Sequence, residues 1–218
     1  MILYDGIREL TAASREGRLP RFFRLKTKEG VYEVRVNDIG IFSTLIEKYA
    51  FDGELEYNEG VHLFLPRIDT ALLVRVIGSF QAIYRSCGNL EAVAHVYWDP
   101  AEKTYYVHCP RQIISRYSID LEWDNGRCER HVLVLEIHSH HIMPATFSPT
   151  DDEYEKAARF YAVVGKVDRF FPEVRLRYAN ARTHREVPPE TLFETRFPVE
   201  WLRNLRAAAP AKGAAGGD

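Results

Sequence analysis

Cysteine is scarce in this chain. Cys87, Cys109 and Cys128 are the three in 218 residues, an odd number without a C-x-x-C spacing. A disulfide framework is not expected from such a set, and reduced thiols packed as small buried hydrophobes in a cytoplasmic protein are. Long apolar runs are missing too. No stretch reaches the roughly eighteen apolar residues of a membrane span, and Met1–Asp5 lacks the basic start and apolar core of a secretory signal. Charge of one sign is also lacking, because 29 basic and 31 acidic residues leave a formal net charge of -2. No overall field therefore draws the chain to nucleic acid or to an anionic surface, and neither is expected as a partner. There is no internal repeat, no phosphate-binding glycine loop and no nucleic-acid motif.

What is present is enough apolar material for a core. With 46% hydrophobic and 12% aromatic residues, the chain can bury one core, or one core and a small appended unit. Residues 1–66 read as a small β-rich N-terminal region. A short helix is expected over Ile7–Ser14, then a hairpin of Arg21–Thr27 and Val31–Val36 around Lys28-Glu29-Gly30, and a second of Phe51–Tyr57 and Val61–Leu65 around Asn58-Glu59-Gly60. The clearest helix is Asp69–Cys87, where Leu72, Leu73, Val76, Ile77, Phe80, Ile83 and Tyr84 recur at three- and four-residue intervals and Gly88 stands ready to end it. Strands are expected over Glu91–Trp98, Thr104–Cys109, Phe160–Val167 and Glu173–Asn180. A closing helix is expected over Thr191–Leu205, and the Ala- and Gly-rich residues 207–218 read as a flexible tail.

The chemistry concentrates between Glu136 and Asp151. His138 and His140 follow the apolar run Val132–Leu135, and residues two apart on a strand point to one face, so two imidazoles converge. Ser148-Pro149-Thr150-Asp151 opens a helix that can return a carboxylate to them. Two nitrogens and one oxygen are the ligand set of catalytic zinc, with the fourth position left to water. A capping box alone would explain the four residues from Ser148 to Asp151. It would not explain two histidines on one face at the end of an apolar strand.

The spacing H-x-H-x7-S-x2-D, met by His138, His140, Ser148 and Asp151, resembles the signature of the JAMM (MPN+, JAB) zinc metalloproteases. The resemblance implies an α+β (α/β) fold: a JAB/MPN-like mixed β-sheet core flanked by helices over residues 67–206, after the β-rich region 1–66 and before the tail 207–218. It implies Zn2+ on His138, His140 and Asp151. Glu91, at the start of the strand after the first helix, matches the place of the family's catalytic glutamate, and Ser148 that of its oxyanion-stabilising serine. Glu136 is a rival base on local grounds, sharing a strand face with the histidines, but a strand spaces such positions by roughly 6.5 to 7 Å. The family often has proline after its second histidine; here His141 stands there. His141 and Asp152 are expected to point away from the metal.

The implied reaction is hydrolysis of a peptide or isopeptide bond. Within the family, the length, the extra N-terminal region and the His138-Ser139-His140-His141 run look most like members from PRTRC plasmid and integrative-element systems. Those systems also encode a ubiquitin-like protein, so a ubiquitin-like protein or its conjugates is the implied substrate. The alternatives are a non-catalytic MPN scaffold or interaction module, which this chain's complete ligand set disfavours, and a zinc hydrolase of small amides.

Overall fold

The computed structural model describes residues 2–5, 16, 20–49, 57–117, 119–122 and 129–194. The expected helix Ile7–Ser14, the tail 207–218 and Cys128 lie outside them. Strands β1 (Ile2–Asp5), β2 (Phe22–Thr27), β3 (Gly30–Val36), β4 (Gly40–Lys48) and β5 (Gly60–Leu63) form a five-stranded sheet in that order. The first expected hairpin is β2 and β3, whose turn is braced by the Thr27 hydroxyl accepting from the Glu29 N–H at 3.2 Å. The second differs from expectation. β5 pairs with β4 and not with Phe51–Tyr57, of which only Tyr57 lies within the described residues. β4 gives no alternating signal because Phe42, Ser43 and Thr44 are all buried, so both faces of the strand are covered.

After the short β6 (Ile68–Asp69) comes α1 (Thr70–Cys87). Its first turn is capped by the Asp69 carboxylate, which accepts from the Ala71 N–H at 2.8 Å, and Gly88 ends it at a φ of 78°. Leu73, Val76 and Phe80 are its buried stripe. The remaining elements are β7 (Val93–Asp99), β8 (Thr104–His108), β9 (Gln112–Ile114), β10 (Ile119–Leu121), β11 (Val132–Ser139), the six-residue α2 (Pro149–Tyr154), β12 (Phe160–Gly165), β13 (Glu173–Asn180), β14 (Thr183–Val187) and β15 (Phe193–Glu194). Six of these strands make the second large sheet, in the order β14-β13-β12-β11-β7-β8, in which β11 and β12 are parallel and the other neighbours antiparallel.

The expectation of a helix-flanked α+β core is overturned. The described chain is mostly sheet, with one long helix and one helix of six residues. Three local choices account for the difference. The helix from Ser148, expected to run on through Glu155, Ala158 and Arg159, stops at Tyr154, β14 occupies residues not assigned from sequence, and the expected closing helix begins instead as a 3-10 turn (Pro189–Thr191) followed by β15, with residues 195–205 outside the described part. A second large sheet takes the place of flanking helices. No described helix is long and apolar enough to cross a membrane. Cys87 and Cys109 are exposed, contrary to the expectation of buried thiols.

The six-stranded sheet has two unlike faces. Ala94, Val96, Leu135, Ile137, Phe160, Ala162, Leu176 and Tyr178 point to the core, where they meet α1 and residues of the five-stranded sheet. Phe42 of β4 packs against Phe160 and Tyr178, with ring centroids 5.8 and 6.0 Å apart. Tyr178 donates its hydroxyl to the Ser43 carbonyl at 2.9 Å, and the Asn180 amide donates to the Thr44 hydroxyl at 2.7 Å. The opposite face carries Glu136, His138, His95, Tyr161 and Arg177. Because Phe42 joins the two sheets from a fully buried position, Phe42→Ala should cost about 3 to 5 kcal/mol in denaturant unfolding. A cost under about 1 kcal/mol would mean that the sheets do not share one core.

Candidate metal centre and its cavity

Strand β11 delivers both histidines. His138 is its penultimate residue, and His140 extends the parallel pairing one step further, its N–H donating to the Val164 carbonyl at 2.8 Å. Their Nε2 atoms face each other at 3.1 Å. Ser139, between them, points to the other side: its hydroxyl accepts from the Ala92 N–H at 3.0 Å, while its own N–H donates to the Ala92 carbonyl at 2.8 Å. That double tie holds residue 91 beside the histidine pair. Glu91 is anchored a second time through its N–H, which donates to the Ser115 carbonyl at 2.9 Å.

Asp151 arrives from α2, whose N-cap is Ser148. The Ser148 N–H and hydroxyl both donate to Asp151 Oδ2, at 2.6 and 2.8 Å, and the Asp151 N–H donates back to the hydroxyl at 3.3 Å. With Oδ2 so held, Oδ1 is turned to His138 Nε2, 3.5 Å away. One ligand atom from each of His138, His140 and Asp151 lies within 4.8 Å of the others. Tetrahedral zinc with nitrogen ligands at 2.0 to 2.1 Å asks for about 3.3 Å between two nitrogens, so the observed pair is close to the spacing a metal needs. The protonation states fit as well. Burial takes His138 down to about 4, against the pull of Asp151, and burial also lowers His140, leaving neutral imidazoles at pH 7. A backbone hydrogen bond at Pro144 steadies the His140 ring, the kind of outer contact that fixes a ligating tautomer. The residues therefore fit a divalent metal, and nothing in the donor set selects zinc over its neighbours.

These groups line a cavity of about 680 Å³, which Glu91 and Ser148 share. Glu91 is buried, and burial followed by the charge of Asp151 raises its pKa to about 7. Glu136 lines the same cavity but has another partner: its carboxylate is 3.3 Å from His95 Nε2. Burial pushes Glu136 up, and His95, Arg159 and His138 more than offset this, so it stays below the ordinary range. His141 is fully buried and turned toward the Arg116 carbonyl at 3.4 Å, and Asp152 pairs with Arg177, so both point away from the group as expected.

Several contributors gave no motif signal. Ile119 and Leu121 of β10 and Tyr117 of the connection between β9 and β10 form one cavity wall. Gly165 permits residues 143–145 to cross the end of β12, since a Cβ there would lie 2.1 Å from the Ala145 nitrogen. Ser139 and Arg177 act through partners distant in sequence. A Ser139-to-Ala92 tie could have been suspected only from the rule that the middle residue of H-x-H faces the other way.

Comparison with known proteins leaves the family open. No family model matches the chain. It is similar to a pentatricopeptide repeat-containing protein of Arabidopsis thaliana, 28% identical over 156 residues, which cover 65% of this chain and 16% of that protein. The chain thus spans about a sixth of that relative's length, and the likeness carries no argument about the histidine pair.

The raised Glu91 has a consequence for stability. A carboxyl whose folded pKa lies above its unfolded value favours the fold while protonated, and that favour is lost as pH rises from 4.5 to about 7. In metal-free protein, Glu91→Gln should therefore raise stability at pH 8 and change it little near pH 4.5. Urea midpoints at the two pH values measure this. A loss at pH 8 would show that the carboxylate is ion-paired there.

Proposed function

We propose that this chain is a zinc-dependent hydrolase of peptide or isopeptide bonds, a JAMM-type metalloprotease acting on a ubiquitin-like protein or its conjugates. The observation that carries the reading is the convergence of two neutral imidazoles and one carboxylate within 4.8 Å, in a cavity that also holds a carboxyl with a pKa of about 7. His138, His140 and Asp151 are the metal ligands. A metal ion held there would supply Lewis acidity toward a scissile carbonyl and toward water.

Glu91 accepts the proton of the attacking water as the new carbon–oxygen bond forms, then returns it to the nitrogen as the carbon–nitrogen bond breaks. A carboxyl poised near neutrality can do both. Ser148 holds Asp151 Oδ2 in the resting geometry. Its hydroxyl stabilises the oxyanion only on turning from that carboxylate, so the two duties alternate. Tyr117 and Tyr154, at 68% and 78% exposed, stand at the cavity as apolar contacts for an extended substrate chain.

Metal analysis of the purified chain beside its Asp151→Asn variant tests the site: about one zinc per native chain is expected, and much less in the variant. Glu91→Gln should keep the zinc and lose at least roughly a hundredfold in cleavage of a ubiquitin-like fusion or conjugate. A native chain that takes up no zinc would leave the scaffold reading in front, and a fully active Glu91→Gln would remove Glu91 from the chemistry.

A further inference from the structure

Helix α2 carries Asp151 yet buries none of its own side chains. Six residues are too few to form a stable helix in water by backbone hydrogen bonding alone. The capping box fixes Asp151 relative to Ser148, but both belong to the same segment. Something else must hold that segment to the sheet bearing His138.

Arg177 of β13 makes that link. Its side chain is 5% exposed. Nε donates to Glu155 Oε2 at 2.7 Å, with Nη2 2.6 Å from the same oxygen. Nη1 donates to Asp152 Oδ1 at 2.5 Å, and the guanidinium lies over the Phe147 ring, 3.9 Å from its centroid. One planar group thus touches the residue before the N-cap, a residue within the helix and the C-cap. The backbone of Glu155 is held from the same side, its carbonyl 2.7 Å from His184 Nε2. Arg177 is itself placed by the sheet: it pairs with Tyr161 on β12, which pairs with Glu136 on β11, two residues from His138.

We propose that Arg177 is a positioning residue, a three-point clamp on Phe147, Asp152 and Glu155 that sets Asp151 at ligating distance from His138 and His140. The inference rests on the metal reading of that group. Arginine suits the task because its fork engages two carboxylates in one plane while its face packs on an aromatic ring. A lysine keeps the charge and loses that simultaneous reach.

The test uses Co2+ alone, titrated into metal-free full-length protein and followed by its visible absorption. Each variant is compared at a temperature where circular dichroism shows it folded. Arg177→Lys should weaken Co2+ binding about 10- to 100-fold and alter the absorption bands, as loss of an outer contact does at metal sites. Glu155→Gln should act in the same direction, and the double variant should be no weaker than the worse single, because both changes release one contact. A folded Arg177→Lys that binds Co2+ within about twofold of the native chain, with unchanged bands, overturns the clamp. Should Arg177→Lys not fold, Phe147→Leu and Asp152→Asn each remove one arm and are read by the same criterion. A native chain without Co2+ uptake, or an Asp151→Asn variant that binds like the native chain, overturns the metal reading itself and the clamp with it.

Discussion

The register of β11 between β7 and β12 is the constraint on which the rest depends. Leu135 and Ile137 pair with Phe160 and Ala162 and enter the core, which obliges Glu136 and His138 to point to the other face. A slip of one residue would drive an imidazole and a carboxylate into the apolar layer and expel two aliphatic side chains, so the register is strongly specified. The same pairing decides where the site begins. His138 still belongs to the ladder with Val93, and beyond it the Ser139–Ala92 and His140–Val164 contacts lead into residues 141–143, whose carbonyls accept from Val167 and Lys166, so the histidines stand where the strand gives out into a loop.

What was legible in the sequence is what depends on near neighbours. The apolar stripe and caps of α1, the β2–β3 hairpin, strand Glu173–Asn180 and the offset of Ser148 and Asp151 from the histidines are all patterns within one short window, and each has its counterpart in the structure. The balance of strand and helix was not legible. β4 carries its polar residues inward, where Thr44 meets Asn180, so its pattern looks like no strand at all. The helix from Ser148 ends at Tyr154, where Glu155 leaves helical geometry with a ψ of 74° and meets Arg177, a partner that lies 22 residues away in sequence. Gly165, Ser139 and Arg177 are silent for one reason: each is needed by a segment that only folding brings near.

The sheet divides its two duties between its faces. Aliphatic and aromatic residues against α1 and β4 supply the burial that stabilises the fold, while the opposite face gathers Arg177, Tyr161, Glu136 and His95 along one row of pairings. Such a row is tolerable only when each charge finds a partner, and Arg177 with Glu155 and Glu136 with His95 do so. Glu91 is the exception, since its strongest charged influence is the like charge of Asp151. Natural sites often retain such a cost where function needs the group.

That unfavourable pair links the two halves of the site. Burial and Asp151 together hold the Glu91 proton in place up to about pH 7. A cation on His138, His140 and Asp151 would offset the repulsion, favour ionised Glu91 and so lower its pKa. Linkage makes the effect reciprocal: an ionised Glu91 must strengthen cation binding by the same free energy. The Glu91 carboxyl, which does not itself ligate, would then help to retain a bound cation electrostatically. A neutral glutamine at that position leaves all three ligands in place, so zinc stays bound, and what is lost is only this electrostatic increment in affinity, to an extent set by how far the cation depresses the glutamate's pKa below neutrality.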